Sequence, residues 1–202
     1  MPNHTRALSP VQTETGALVH TSADRQLASG HWLLSTLPGP ARDRARQEWH
    51  KKREALVPTG TLFSAVKLPS RLLLAAASEP QAASLRAPSP QLDEFLREAL
   101  VGTPVICDPR SLHYYALVPA SLPGMWHRAA AAWPYVGVHL LGRGGHVGVP
   151  RPDATELDPK TYSSYWAVPM VAMGLLGDAP AVARLIAAGC HQLAEEVIRA
   201  QA

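Results

Sequence analysis

The sequence predicts an α+β fold, in which helices pack against a sheet of strands that are mostly paired as hairpins. Short β-rich runs separated by turn residues occur in neighbouring pairs, as antiparallel hairpins require. Segments with apolar residues at helical spacing lie before, between and after those pairs. The predicted element order is α-α-β-α-α-β-β-α-β-β-(β)-α, which favours helices on an antiparallel or mixed sheet.

The length and composition fit one globular domain. The chain has 202 residues, of which 47% are hydrophobic and 17% are charged, and domains of roughly 100–200 residues are the norm. Residues 1–21 mix Pro, Thr, Ser, Gly and His without a period, so we expect a flexible leader. Residues 22–202 are predicted to form a single domain that ends in a long helix.

Composition bounds the location and the partners only loosely. No apolar run approaches the roughly 20 residues of a membrane span, and no basic segment followed by an apolar one marks a secretory signal. We therefore expect a cytoplasmic protein without membrane contact. The net charge of +3 permits an anionic partner without requiring one. Cys107 and Cys190 lack neighbours with metal-ligand spacing, so both are expected to be free thiols.

Two helices are predicted near the N-terminus. The first covers residues 22–37, with Ser22 or Asp24 as its cap. The second covers residues 41–55 and is anchored by Trp49. Its basic residues either contact phosphates or form a solvated surface; they are Arg44, Arg46, Lys51, Lys52 and Arg53.

A central strand and a hairpin are predicted in the middle of the chain. The β-rich run Thr61–Val66 is the central-strand candidate. Helices are predicted over residues 70–77 and 90–101. A hairpin then joins the strand Thr103–Cys107 to the strand Ser111–Val118.

The remaining residues are predicted to form a small helix, a second hairpin, an edge strand and a long helix. The small helix lies within residues 119–133. Strands over Tyr135–Leu141 and His146–Val149 are joined by a Gly-Arg-Gly-Gly turn, where glycine supplies the positive φ that a tight turn needs. Tyr165–Val168 is the edge-strand candidate, and Asp178 is the predicted cap of the last helix.

The polar tetrad Arg110-Ser111-Leu112-His113 is the strongest chemical signal in the chain. Ser111 and His113 are two residues apart and are predicted to lie on one face of the sheet. Imidazole and hydroxyl donors beside a guanidinium make a compact anion site. Asp108, in the turn before the tetrad, is expected to cap the hairpin rather than to bind a metal.

The order of these motifs resembles the catalytic domain of archaeo-eukaryotic primases. It is closest to the bifunctional DNA primase/polymerase N-terminal domain, which is common in mobile elements and actinobacteria. The resemblance covers roughly Trp32 to Trp166 and implies an RRM-like sheet. Ser111-Leu112-His113 matches the family's Ser-x-His motif, whose histidine contacts the phosphates of the incoming nucleotide. Residues 138–150 resemble the third motif and the strand after it, and residues 162–166 resemble the closing Tyr/Trp segment.

The chain departs from this family where divalent metals would bind. An active primase carries two acidic residues on its first-motif strand and another in its third motif. Here the first-motif strand has no acid and carries Ser64, while His139 stands at the third-motif position. Imidazole and hydroxyl groups are poor ligands for Mg²⁺. The resemblance therefore implies a catalytically degenerate domain without a cofactor.

Two sets of candidate residues follow from the motifs and the resemblance. The expected nucleotide or phosphate contacts are Arg110, Ser111, His113, Arg143 and Lys67. The altered motif positions are Ser64, His139 and His146.

Alternative interpretations stay open at this point. Three roles are open for His113, His139 and His146: a transition-metal site, structural strand residues bonded to the backbone, or contact with the phosphates of a nucleotide or nucleic acid. One of Tyr114 and Tyr115 could stack a base, since the two side chains point to opposite faces.

The function that the resemblance implies is a nucleic-acid-binding, nucleotide-binding or regulatory module. Its expected partner is DNA, a nucleotide, or a replication or regulatory protein. One alternative is an active nucleotidyltransferase, a DNA primase/polymerase that uses Mg²⁺ or Mn²⁺. The other is a pure protein-interaction regulator whose pocket is closed.

Overall fold

A five-stranded antiparallel sheet lies at the centre of the fold. The structure is a computed structural model that describes residues 11–12, 18–19, 21–52, 54–77, 88–126 and 129–201. Within these ranges the fold is α+β, so the predicted fold class is confirmed. Most of the predicted leader and most of the loop at 78–90 lie outside the described residues. No described helix is both long and apolar enough to cross a membrane.

The strands form one large sheet and two small ones. The large sheet has the order β7-β4-β6-β5-β9, and β1 pairs with β2 while β3 pairs with β8. All of these pairs are antiparallel. The strands are β1 (Val11–Gln12), β2 (Leu18–Val19), β3 (Glu54–Pro58), β4 (Phe63–Pro69), β5 (Val105–Asp108), β6 (His113–Pro119), β7 (His139–Leu141), β8 (His146–Pro150) and β9 (Tyr165–Val168).

Six α-helices and one 3₁₀ helix are described. They are α1 (Ser22–Leu33), α2 (Gly39–Lys52), α3 (Ser70–Ala76), α4 (Pro90–Ala99), α5 (Leu122–Trp126), the 3₁₀ helix Ala129–Val136, and α6 (Ala179–Gln201). The cap of α1 is Thr21, which is one residue before Ser22 and three before Asp24, the two predicted positions, and Thr21 forms a capping box with Asp24. The predicted cap of the last helix is confirmed, because Asp178 Oδ2 accepts a hydrogen bond from the Ala181 N–H at 3.1 Å.

One face of the large sheet is covered by helices. Val66, Cys107, Tyr114 and Ala116 on this face are fully buried, in one cluster with residues of α3, α4 and α6. Side chains two residues apart on a strand share a face, so the alternation in β4 and β6 builds this core. These side chains of the helix-covered face are therefore not accessible to a ligand.

The other face of the large sheet packs against α1, α2 and the β3–β8 pair. Phe63, Ala65, Leu117 and Trp166 on this face are buried in a second cluster that includes residues from those elements. The Trp49 indole on α2 donates a hydrogen bond to the Val149 carbonyl on β8 at 2.8 Å. This contact holds α2 against the small sheet.

The predicted second hairpin is wrong. β7 pairs with β4, and β8 pairs with β3 in another sheet. The Thr59 hydroxyl donates to the Gly142 carbonyl at 2.6 Å, and the Thr59 N–H donates to the Gly145 carbonyl at 2.9 Å. Gly60, at a φ of +87°, lies so close to Arg143 that a Cβ would be 2.4 Å from the Arg143 nitrogen. These contacts fix the turn at residues 142–145, where the chain passes from β7 in the large sheet to β8 in the small sheet.

The predicted second helix extends too far. Glu54 and Ala55 belong to β3, where Ala55 and Val57 are buried and Leu56 between them is 62% exposed. Burial that alternates with a period of two is typical of a strand with one covered face. Pairing with β8 therefore overrides the local helical pattern at the end of α2.

A buried polar network ties α4 to the helix-covered face of the sheet. The Tyr165 hydroxyl donates to Asp93 Oδ2 at 2.8 Å. The pKa of Asp93 is raised by burial, which outweighs the opposing effects of Tyr165, Arg97 and Tyr114. Burial also raises the pKa of the neighbouring Cys107 thiol to about 12. Burial therefore disfavours the charged form of both groups.

Substitution of Asp93 by Asn should remove a pH-dependent loss of stability. The folded-state pKa of Asp93 lies above its ordinary value of 3.8, so ionisation is harder in the folded protein than in the unfolded one. The free energy of unfolding of the wild type should fall relative to that of Asp93→Asn as the pH rises through the raised pKa. Below the ordinary value the pH-dependent part of the difference should vanish. Urea unfolding at a series of pH values from about 3 to about 8 measures this trend. Asp43→Asn, at an exposed ion pair, is the control, and an equal trend in both variants would contradict the expectation.

The packing of α6 on α3 depends on a glycine. A Cβ at Gly189 would lie 2.5 Å from the Leu72 carbonyl oxygen and 2.8 Å from the Leu72 Cγ. Backbone atoms of a helix cannot move away cheaply, so a larger residue would separate the two helices. The absence of a side chain at this position sets the distance between α3 and α6.

Gly189→Ala should therefore destabilise the protein, although alanine normally stabilises a helix. We expect the free energy of unfolding to fall by about 1–3 kcal/mol from the clash. Gly124→Ala in α5 is the matched control, since a Cβ there meets nothing within 4 Å. The control should be neutral or stabilising by up to about 1 kcal/mol. Chemical denaturation measures both, and a stabilised Gly189→Ala would refute the packing argument.

Candidate functional site

Several candidate residues meet at one end of the sheet face that is opposite to α3, α4 and α6. Lys67 on β4 lies directly across from Tyr115 on β6 and from His139 on β7. Directly opposed residues in antiparallel strands project to the same face. His113, two residues before Tyr115, projects to that face as well. We call Lys67, His113, Tyr115 and His139 the polar cluster.

The polar cluster lies on the same sheet face as the second core, at the end that is nearer to solvent. Ala65 and Leu117, two residues further along β4 and β6, are fully buried. Lys67, His113 and Tyr115 are partly buried, and His139 is exposed. The cluster is therefore the accessible end of a face whose other end is filled by apolar side chains.

The turn before β6 is organised by Asp108. Its Oδ1 accepts hydrogen bonds from the N–H groups of Arg110 at 3.1 Å and Ser111 at 3.3 Å, and its Oδ2 accepts one from the Ser111 hydroxyl at 2.6 Å. This is the cap that the sequence predicts for Asp108. Both of its carboxylate oxygens are thus engaged within the hairpin.

Ser111 lies in the turn and not on the strand. β6 begins at His113, and Leu112 adopts a φ of +56°. The left-handed residue interrupts the alternation of side chains, so the expectation that Ser111 and His113 share a strand face was wrong in its reasoning. Ser111 still adjoins the cluster, because it lies two residues before His113, the first residue of β6.

The two candidate arginines lie in turns. The Arg110 guanidinium donates to the Thr161 carbonyl at 2.8 Å and so joins the hairpin turn to the loop before β9. Arg143 is exposed in the turn between β7 and β8. Neither side chain belongs to the strand register that positions the polar cluster.

The surroundings of His113 disfavour its charged form. Its pKa is lowered by burial and by the charge of Lys67, while the Ser111 backbone and Asp108 act in the opposite direction and His139 lowers it further. The His113 Nδ1 is buried and has no hydrogen-bond partner among the described residues. An anion that enters the cluster would stabilise the imidazolium form and reverse this effect.

Tyr115 is the aromatic residue of the cluster. Burial raises the pKa of its phenol, and the negative charges of Asp108 and Glu54 add to this effect. Glu54 itself accepts a hydrogen bond from the Ser164 hydroxyl at 2.7 Å. Tyr114 is fully buried on the opposite face, so only Tyr115 of this pair is available to a ligand.

Two of the altered motif positions lie away from the polar cluster. Ser64 is fully buried on the helix-covered side, where its hydroxyl donates to the Ala120 carbonyl at 3.4 Å. His146 is exposed on β8 and pairs with Pro58 of the small sheet. Within the part of the chain that the structure describes, no three His, Cys, Asp or Glu side chains are grouped so that they could hold a metal ion.

Two features of the site were not predicted from the sequence. They are the proximity of the Glu54 charge to Tyr115 and the position of Tyr115 directly across from Lys67. Glu54 was included in a helix, although the alternation of Ala55, Leu56 and Val57 is a strand signal. The neighbourhood of Tyr115 and Lys67 depends on which strands pair across more than 40 residues of chain. No local pattern in the sequence specifies such a pairing.

Comparison of the chain with models of protein families, with characterised proteins and with solved structures found no match. The functional inference consequently depends on the geometry and chemistry of the cluster.

The titration of His113 should report anion binding. In the free protein we expect its NMR titration midpoint below the ordinary value of 6.5. Inorganic pyrophosphate should move the midpoint upward, because a nearby anion stabilises the charged imidazole. Exposed His191 on α6 serves as the internal control and should not move. A midpoint for His113 that pyrophosphate leaves unchanged would show that the cluster does not bind phosphate.

Proposed function

We propose that the chain is a catalytically degenerate primase-polymerase-like domain that binds the phosphates of a nucleic acid or nucleotide in the cytoplasm. The observation that carries this proposal is the register of β6, β4 and β7, which brings His113, Lys67 and His139 together at the accessible end of one sheet face. Nitrogen donors around a lysine are suited to phosphate oxygens. Arg110 and Ser111 in the adjoining turn, and Arg143 beyond β7, extend the candidate contact area.

The strand order supports the RRM-like part of the proposal. From β4 to β7 the chain runs strand, helices, strand, strand, helices, strand. These four strands lie in the order β7-β4-β6-β5. A β-α-β-β-α-β unit with antiparallel neighbours is the ferredoxin-like arrangement, and RRM-like sheets bind single strands on their open face.

The small number of acids on the face supports the degenerate part of the proposal, since Asp108 lies across from His113 but belongs to no group of three potential metal ligands among the described residues. Two-metal phosphoryl transfer needs several oxygen ligands around a common point. β4 carries no acid, β7 presents His139, and both oxygens of Asp108 are engaged in the hairpin turn. The described residues therefore provide donors for phosphate but no set of carboxylates for Mg²⁺.

The position of Tyr115 favours single-stranded nucleic acid or nucleotide over duplex DNA. A phenol directly across from Lys67 can offer a ring to a base while the lysine reaches a phosphate. The groove of a duplex would keep its bases stacked and out of reach of such a ring.

Substitution in the cluster should weaken binding of a single-stranded oligonucleotide. We expect Lys67→Gln to lower the affinity at low salt roughly tenfold, or about 1.4 kcal/mol. It should also lower the slope of log affinity against log salt by about 0.7, as the loss of one phosphate contact requires. Fluorescence anisotropy with a labelled oligonucleotide measures both quantities. Arg184→Gln on the exposed side of α6 removes the same charge elsewhere and should leave the slope unchanged.

Two results would favour the alternatives. Primer extension with Mg²⁺ or Mn²⁺ and nucleoside triphosphates that is abolished by His113→Ala would establish an active nucleotidyltransferase. No binding of oligonucleotide or nucleotide even at low salt would leave the protein-interaction regulator as the better interpretation.

A further inference from the structure

A separate cleft lies between α1, α2 and the segment Arg151–Asp153, which follows β8. Its volume is about 440 Å³, within the roughly 300–1,000 Å³ that is usual for small-molecule sites. None of the residues of the polar cluster lines it. A ligand in this cleft would therefore be independent of the proposed phosphate-binding face.

The floor of the cleft is apolar and held in place. Leu34 and Trp49 form much of it and are almost fully buried. The indole nitrogen of Trp49 is fixed by its hydrogen bond to Val149. Gly30 allows α1 to pack closely against Pro152 and Trp49, since a Cβ there would lie 3.2 Å from the Pro152 Cγ and 3.5 Å from the Trp49 ring. The floor exists without rearrangement, which lowers the entropic cost of binding.

The rim of the cleft is rich in nitrogen groups. Arg46, Arg151, His31 and His50 line it, and among the described lining residues Asp153 is the only acid. Asp153 is held by Arg151 through two contacts of 2.9 and 2.6 Å. The rim thus offers nitrogen donors, and its carboxylate at Asp153 is already paired with Arg151.

The Arg46 guanidinium carries more N–H donors than its contact with Asp43 uses. Its Nη1 contacts Asp43 at 2.9 Å, and this pair is exposed to solvent. A guanidinium carries five N–H donors in a planar fork that matches a carboxylate. An exposed ion pair of this kind holds its geometry only weakly, so Arg46 can turn toward an anion in the cleft.

We propose that this cleft binds a small amphipathic carboxylate, whose apolar body lies on Trp49 and Leu34 and whose carboxylate meets the arginines of the rim. The apolar floor selects against fully polar anions such as free phosphate. The nitrogen-rich rim selects against neutral and cationic ligands of the same shape. Both selections together define the ligand class.

A pair of ligands with equal chains and opposite charges tests the proposal. Decanoate is the anionic probe, and decyltrimethylammonium is the cationic one, each titrated calorimetrically into the full chain as monomers. We expect saturable binding of one decanoate per chain, with decyltrimethylammonium at least about tenfold weaker. Equal binding of both probes, or no binding of decanoate, would overturn the proposal.

Matched substitutions locate the site. Leu27 lines the cleft and is 43% exposed, so Leu27→Glu should fold and should weaken decanoate binding by about tenfold or more through charge repulsion. The same change at Leu56, which is exposed on β3, is the control and should have no effect. Arg46→Gln should weaken binding, whereas Arg44→Gln, outside the lining on the same helix, should not. Equal effects of the cleft and control variants would refute the assignment of the site.

Discussion

The alternation of side chains along β4 is the constraint on which the rest of the structure depends. Val66 and Leu68 enter the core beneath the helices, while Phe63 and Ala65 enter the second core. Lys67 follows on the second side, where the covering elements end. A shift of one residue in the pairing of β4 would exchange every one of these side chains between faces. Two cores that must both be filled therefore fix the register, and the register fixes the polar cluster.

Local patterns in the sequence predict those elements whose partners are close along the chain. The β5–β6 hairpin, its Asp108 cap and the Asp178 cap depend on contacts between near neighbours, and all three are observed. The β7–β8 hairpin was predicted from the same kind of signal and does not form. Its strands find better partners in β4 and β3, which burial of the two cores selects. Pairing of distant strands is a property of the whole core and leaves little trace in any short segment.

The candidate site divides in the same way. The donors of the tetrad could be identified from residue types alone, and His113 does lie on the accessible face. The place of Lys67 between Tyr115 and His139 could not, because three strands separated by long stretches of chain create it. Ser64 and His146 lie away from the cluster for a related reason. Ser64 is buried on the opposite face of β4, and His146 belongs to the small sheet formed by β3 and β8.

The hydrogen bonds between Thr59 and the turn at Gly142 and Gly145 have a consequence for the order of folding. They close a loop of chain between residues that are 83 positions apart. Closing so long a loop costs conformational entropy before the contact contributes any stability. Non-local strand pairing is slow for this reason. The small sheet, and with it the wall at Arg151–Asp153, should assemble after the β5–β6 hairpin has formed. A nascent chain would then form the hairpin that carries His113 before it forms its cleft.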